Sequence, residues 1–91
     1  MITNILKEDE IKELEANGYN FQEKNNMLTI RDAAKNVVIE IINIDEDEVL
    51  INTRENYYWG TKINTIVSAH GEAIYVYYTN NDGEEDFIVG N

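Results

Sequence analysis

The chain has 91 residues and a formal net charge of −11, from 18 Asp and Glu against 7 Lys and Arg. This length fits a single domain, residues 1–91, with one small hydrophobic core. A hydrophobic fraction of 43% excludes a disordered acidic tail, and the negative charge excludes direct attraction to nucleic acid or to an anionic membrane. The absence of cysteine excludes disulfides and thiolate chemistry. No signal peptide or membrane span is recognisable, so we expect a cytoplasmic protein of a bacterial host cell.

A single helix is predicted near the amino terminus. Residues 7–16 place Ile11 and Leu14 on one face, with three acids in the first turn, where the helix dipole favours them. Gly18 suits the left-handed position that ends a helix, and Tyr19 can then pack back on Leu14. The candidate N-caps are Thr3 and Asn4.

Beyond this helix the sequence predicts strands, because apolar and β-branched residues recur in short runs between turn residues. Turns are expected at Asn25-Asn26, Asp45–Glu48 and Asn80–Gly83. The strands are expected to begin near Tyr19, Met27, Val37, Val49, Glu72 and Asp86. The predicted fold class is α+β: an N-terminal helix packed on an antiparallel sheet, a meander of about five to seven short strands.

Residues 61–70 fit two states. Their apolar residues recur at helical spacing from Ile63, whereas their β-branched composition and a turn at His70-Gly71 favour a strand. We favour the strand, which continues the meander. The candidate core of the whole domain comprises Ile11, Leu14, Phe21, Leu28, Ile30, Val37, Ile39, Ile41, Leu50, Ile74 and Val76.

Two acidic clusters lie in the second part of the chain, where residues 36–91 carry eleven acids and two bases. Each cluster is predicted to lie at a turn and to contact a basic partner; the alternative is a solvated turn that keeps a sheet edge soluble. If both lie at the same end of the sheet, they form one patch that can imitate part of a phosphate track. The candidate partner-binding acids are Asp45, Glu46, Asp47, Glu48, Asp82, Glu84, Glu85 and Asp86.

The first cluster also resembles the opening of a calcium-binding loop. It lacks the glycine of that loop's sharp turn, and Asn56 stands where the closing bidentate acid belongs. We therefore expect no metal ion and no other cofactor.

Aromatic residues are concentrated in the same part of the chain, and alternation along strands turns about half of them outward. Tyr57 and Tyr58 are candidate interface anchors, because tyrosine is enriched at the energetic centres of interfaces. Packing in the core or across the sheet is the alternative for each ring, and Trp59 is expected in the core.

No arrangement of residues predicts catalysis. His70 is the only histidine, and no nucleophile–base–acid triad forms around it, so we interpret it as a turn residue. A domain this small rarely encloses the apolar cleft that paired carboxylates need for acid–base chemistry. We expect a binding protein and not an enzyme.

In overall character the chain resembles small phage-encoded anti-defence proteins, such as anti-CRISPR proteins and the uracil-DNA glycosylase inhibitor. The shared features are a short chain, a strong negative charge, a helix with an antiparallel sheet and no cysteine; no individual residue is carried over. The resemblance implies an inhibitor that occludes the nucleic-acid-binding surface of a basic enzyme, such as a Cas effector, with acids that mimic DNA phosphates.

Two other functions fit the same composition. One is an immunity-type or regulatory module that binds a basic protein without imitating nucleic acid. The other is a small structural domain whose charge mainly provides solubility. The protein is expected to be a monomer or a homodimer formed by edge pairing of strands.

Overall fold

The computed structural model describes residues 6–69 and 73–91. Over these residues the chain forms one helix and seven strands, in the order α1 (Glu8–Ala16), β1 (Asn20–Lys24), β2 (Met27–Arg31), β3 (Val37–Asp45), β4 (Glu48–Asn52), β5 (Tyr57–Ala69), β6 (Ala73–Asn80) and β7 (Glu85–Gly90). The strands form one antiparallel sheet in which each strand pairs with its neighbours in the sequence. The sheet is therefore a meander, with β1 and β7 at its edges.

The predicted α+β class is wrong, because the described residues are mostly antiparallel sheet and include only one helix, of nine residues. The strand interpretation of residues 61–69 is confirmed: β6 pairs with them, and they belong to the 13-residue strand β5. No helix of the described ranges is long and apolar enough to cross a membrane. Five residues of the sequence predictions lie outside the described residues: Thr3, Asn4, His70, Gly71 and Glu72.

Helix α1 is fixed at both ends by hydrogen bonds. Lys7 is the N-cap residue, and its N–H donates to the Glu10 carboxylate at 2.9 Å. At the other end the predicted left-handed glycine is confirmed, because Gly18 has a φ of 87°. The Tyr19 N–H donates to the Leu14 carbonyl at 3.0 Å, and both side chains are buried in the core, as in a Schellman motif.

The sheet bends at Gly60, where β5 changes partners. Residues 57–60 pair with β4, whereas the rest of β5 pairs with β6. Two register shifts follow at once, and bulges of this kind bend a strand and increase its twist. A methyl group on Gly60 would lie 2.6 Å from the Thr79 carbonyl oxygen and 2.7 Å from the Tyr78 ring, so a side chain does not fit at the bend.

The bend divides the sheet into two layers that enclose the core. The first layer contains β1 to β4 and residues 57–60, and the second contains residues 61–69 with β6 and β7. Gly90 of β7 faces Ile39 of β3 so closely that a methyl group on it would lie 2.4 Å from the Ile39 side chain. Residues of both layers and of the helix region form one buried cluster: Leu6, Leu14, Tyr19, Leu28, Ile30, Val38, Ile39, Ile41, Ile51, Ile66, Ile74, Val76, Tyr78 and Ile88.

Most of the predicted core is confirmed, and the errors concern which face of a strand points inward. Val37 and Leu50 were expected in the core, but their neighbours Val38 and Ile51 take those places. Both strands are apolar at consecutive positions, so alternation alone does not define the inner face. The predicted core residues that are buried, or packed against the core, are Leu14, Leu28, Ile30, Ile39, Ile41, Ile74 and Val76, with Ile11 and Phe21.

Helix α1 covers an edge of β5 that no described strand pairs with. Past the bend, the side of β5 that met β4 is open, and α1 packs against β5. The Glu10 carboxylate, in a residue only 6% exposed, accepts hydrogen bonds from the Ile66 N–H at 2.8 Å and from the Thr65 hydroxyl. Asn17 donates to the Ser68 hydroxyl at 2.8 Å. The helix thus satisfies polar groups of an edge that would otherwise invite pairing with another chain.

Candidate functional site

The first acidic cluster, Asp45–Glu48, forms the tight turn between β3 and β4, and we call it the acidic turn. Asp45 and Glu48 face each other as the last pair of the hairpin, and Glu46 and Asp47 form its tip. The Asp47 N–H donates to the Asp45 carboxylate at 2.8 Å, which fixes the conformation of the tip. Three of the four side chains are exposed and Glu48 is half-buried, so the turn presents a dense negative charge to solvent.

The second cluster, Asp82–Asp86, covers the connection between β6 and β7 and the start of β7, and we call it the acidic loop. The side-chain oxygen of Asn80 accepts hydrogen bonds from the N–H groups of Asp82 at 2.9 Å and Glu84 at 3.0 Å. Gly83 has a φ of 82°, a conformation that glycine adopts readily. The loop therefore has a defined conformation, and all four of its acids are exposed.

The strand register brings the two clusters together at the bend. Val49, next to the acidic turn, pairs with Gly60, and Gly60 pairs with Asn80 at the base of the acidic loop. Val49 and Asn80 are thus two strand spacings apart, roughly 10 Å. The two connections leave this row in opposite directions, so they do not lie at the same end of the sheet. The offset pairing of β5 brings their bases together instead.

The resulting surface, the acidic turn with the acidic loop, is called the acidic corner below. It contains eight carboxylates, and the pairing register places one base, Lys62, between its two parts through the pairs Lys62–Thr79 and Thr79–Glu85. Across the described ranges there are two ion pairs, Lys12–Glu8 and Arg54–Asp32, and neither includes an acid of the corner. Its negative charge is therefore left largely uncompensated.

The opposite end of the first layer has a different charge. Arg31, Lys35 and Arg54 gather around the connection between β2 and β3, and we call this region the basic end. Arg54 lies 3.9 Å from the Asp32 carboxylate and donates to the Val37 carbonyl at 3.2 Å. Arg31 donates to the Lys35 carbonyl at 3.3 Å. The bases here hold loops in place, and the first layer carries fewer uncompensated acids at this end than at the acidic turn.

Asp32 is the acid of the basic end, and its environment favours the ionised form. The Asn36 N–H donates to its carboxylate at 2.9 Å. This hydrogen bond, followed by the Asn36 side-chain amide and the charge of Arg54, lowers the pKa of Asp32 below its usual value. Asp32 therefore has a structural role in the β2–β3 connection, as Asp45 has at the tip of the acidic turn.

The three consecutive aromatics of β5 point to different faces. Tyr57 is 72% exposed on the outer face, whereas Tyr58 is half-buried and packs against the core. Trp59 was expected in the core, and this expectation is wrong because Trp59 is 48% exposed. The register explains the pattern: Tyr58 pairs with the buried Ile51, so its two neighbours face the other way.

The tyrosines of β6 are also divided between the two faces. Tyr75 and Tyr77 lie against Phe87 of β7, with ring centroids 6.0 and 5.6 Å apart, and they stabilise the outer face of the second layer. Tyr78 faces the core. Its burial, together with the negative charge of Asp86, raises the pKa of Tyr78 above its usual value.

An apolar row on the outer face of the first layer was missed by sequence reasoning. Four side chains lie side by side across β2, β3, β4 and β5, because Met27 pairs with Ile42, Ile42 with Leu50, and Leu50 with Trp59. We call this row the apolar strip. Its signal in the sequence was the run of apolar residues on both faces of residues 37–42, but the register that aligns the row is not visible there.

A cleft of about 270 Å³ opens between the β4–β5 connection and the carboxyl-terminal end of the described chain, away from the acidic corner. It is lined by Thr53, Arg54, Glu55, Asn56, Tyr58, Val89 and Asn91. No nucleophile with an adjacent base lies among these residues, and no group of three or more potential metal ligands converges anywhere in the described ranges.

Comparison with known proteins leaves the function to be argued from these surfaces. No family model, curated protein or solved structure matches the chain.

Proposed function

We propose that the protein binds the basic, nucleic-acid-binding surface of an enzyme through the acidic corner and thereby blocks access of the nucleic acid. The observation that carries this proposal is the register Val49–Gly60–Asn80, which places the bases of the two acidic clusters two strands apart. A basic groove attracts such a surface over several ångströms, and this attraction accelerates association. In a bacterial cell, a Cas effector is one enzyme with a groove of this charge.

The geometry also supports partial imitation of a nucleic-acid backbone. Duplex DNA carries one phosphate charge per roughly 1.7 Å of axis, and a groove built for it presents closely spaced lysines and arginines. The acidic turn offers four carboxylates on consecutive residues, and the acidic loop offers four more about two strands away.

A second candidate function is an immunity-type or regulatory module that binds a basic protein without imitating nucleic acid. The apolar strip favours it, because a phosphate track has no apolar counterpart. In this alternative the acids guide the approach, and the strip supplies much of the contact energy.

Binding to three purified probes distinguishes the two candidates: a Cas effector, a uracil-DNA glycosylase and a ribonuclease toxin. Co-elution should be strong at low salt and weak at high salt, because screening removes the attraction between exposed charges. If guide RNA or duplex DNA displaces the protein from an enzyme, the inhibitor proposal is supported. If a complex forms and nucleic acid does not disturb it, the module without mimicry is supported. Failure to bind any of the three counts against both.

Matched variants test whether the corner carries the interaction. The variant Asp45→Asn, Glu46→Gln, Asp47→Asn, Glu48→Gln removes four charges from the corner. A control with Glu13, Glu15, Glu23 and Glu55 changed to Gln removes four exposed charges elsewhere. We expect the first variant to slow association about tenfold or more and the control to have a much smaller effect. Equal effects would show that net charge alone, and not the corner, governs binding.

A further inference from the structure

The outer face of the first layer combines apolar and acidic groups in a fixed order. The apolar strip crosses four strands, over roughly 14 Å. Met27, Ile42 and Leu50 are half-buried, and Trp59 is 48% exposed, so the strip remains open to a partner. A continuous apolar row on the solvent side of a sheet marks an interaction site more often than a scattered exposed residue does.

Acids border the strip on both sides. Along β4, Glu48 lies two residues before Leu50 and therefore on the same face; along β3, Glu40 lies two residues before Ile42. The acidic turn thus lies along one long side of the strip, and Glu40 lies along the other. A partner that covers the strip must bring positive charge to these carboxylates, or they lose solvation without compensation.

A second copy of the chain meets this requirement poorly, because the strand pairing places one base, Lys24, beside the strip, next to Met27. Each copy carries a net charge of −11, and an arrangement of strip against strip would bring two sets of bordering acids close together. The charge pattern favours a cationic partner instead.

We infer that the apolar strip is the docking site for a ridge of apolar side chains flanked by lysine or arginine on a partner protein. This inference rests on the proposed binding to a basic protein, which both candidate functions share, and adds an apolar centre to that acidic interface. An amphipathic helix fits the dimensions: about nine residues span 14 Å at 1.5 Å per residue, which places apolar side chains at i, i+4 and i+8.

Trp59 supplies a direct measurement, because it is the only tryptophan in the chain and belongs to the strip. The probes are two synthetic peptides with the same number of lysines: an amphipathic Lys/Leu helix and an oligolysine. We expect the amphipathic peptide to shift the Trp59 emission to shorter wavelength and to bind about tenfold or more tightly than oligolysine. Equal affinities, or binding without an emission shift, would overturn the inference.

Variants locate the binding to this face. Leu50→Ser, in the middle of the strip, should weaken binding of the amphipathic peptide about tenfold while Trp59 still reports it. Phe87→Ser is the matched control, since Phe87 is 51% exposed on the second layer. If Leu50→Ser does not fold, Met27→Ser replaces it, because Met27 lies at the β2 end of the strip. Loss of binding in the control alone would place the contact elsewhere.

Two further outcomes separate this inference from its alternatives. If peptide discrimination holds but no nucleic-acid enzyme binds, the proposed function fails and the strip remains a docking site for a cationic ridge. If sedimentation of the protein alone shows a dimer that Leu50→Ser dissociates, the occupant is a second copy and the inference is wrong.

Discussion

The connections at the basic end and at the acidic loop are closed by the same kind of hydrogen bond, but the accepting side chain is charged in the first and neutral in the second. At the basic end the carboxylate of Asp32 accepts the Asn36 N–H at 2.9 Å. At the acidic corner the amide oxygen of Asn80 accepts the N–H groups of Asp82 and Glu84. An acceptor two to four residues before the donor is a common way to close a loop, and Asp and Asn both supply it.

The difference between them follows from their surroundings. Asp32 lies beside Arg54, which compensates its charge. Asn80 lies among acids, where another carboxylate would add repulsion. The neutral acceptor Asn80 therefore closes the acidic loop without adding to its negative charge. The charge that closes the β2–β3 connection is thus offset by a base, whereas the acidic loop is closed without any added charge.

The largest effect should come from Gly60→Ala, which removes the bend that creates the corner. The new methyl group would lie 2.6 Å from the Thr79 carbonyl oxygen, so the backbone of β5 or β6 must shift. We expect a loss of about 1–3 kcal/mol in the free energy of unfolding, together with weaker partner binding. Urea denaturation measures the first, and the association rate with a bound enzyme measures the second.

Gly83→Ala is the control for this prediction. It lies in the acidic loop with a positive φ but with no atom within 4 Å of a new methyl group, so it has strain without a clash. Its cost should be nearer 1 kcal/mol. A Gly60→Ala protein as stable as the original would show that β5 does not need glycine to bend.

Asn80→Ala should have the next largest effect, because it removes the acceptor for two N–H groups of the acidic loop. Both N–H groups can reach water, so we expect a cost of about 1 kcal/mol in the free energy of unfolding. Asn80→Asp keeps the acceptor and adds a charge, so it should recover most of this loss at high salt but not at low salt. Stability of Asn80→Asp that does not depend on salt would argue against repulsion in the corner.

A smaller change of opposite sign is expected when Glu48 becomes Gln. Asp45 and Glu48 are like charges directly opposite on neighbouring strands, a pairing that destabilises a sheet by about 0.2–1 kcal/mol. The variant should unfold at higher urea concentration in low salt and show less stabilisation by added salt than the original protein. Glu23→Gln, an exposed acid of β1, is the control. A lower stability of Glu48→Gln would show that Glu48 makes a favourable contact.

Local features of this fold could be predicted from the sequence, because each depends on a few neighbouring residues. Gly18 ends the helix as expected, and the turn at Asn25-Asn26 has Asn25 at a φ of 58°. The acidic turn and the acidic loop also lie at connections between strands, as predicted. In each case the side chain or the missing Cβ determines the backbone conformation within about four residues.

The bend and the faces of the strands could not be predicted, because they depend on residues far apart in the chain. Nothing near Gly60 in the sequence shows that Tyr78 and Thr79 will crowd it. Likewise, Leu50 and Ile51 are equally apolar, and only the pairing with β3 and β5 decides which one enters the core. Whether the two acidic clusters lie close together depends on the bend and on the strand register, so the sequence alone offered it only as a hypothesis.

The smallest predicted effect is the change in acid stability when Asp32 is replaced. The pKa of Asp32 in the folded protein is lower than its value of 3.8 in an unfolded chain, chiefly because of the Asn36 N–H. Its contribution to stability is therefore fully present above that value and disappears as the pH falls through the lower folded pKa. Asp32→Asn should flatten the loss of stability in this acid range, whereas Glu55→Gln, in the neighbouring connection, should not. Urea denaturation from pH 7 to about pH 2 provides the measurement. Identical curves for the two variants would show that the Asn36 N–H does not stabilise the ionised form of Asp32.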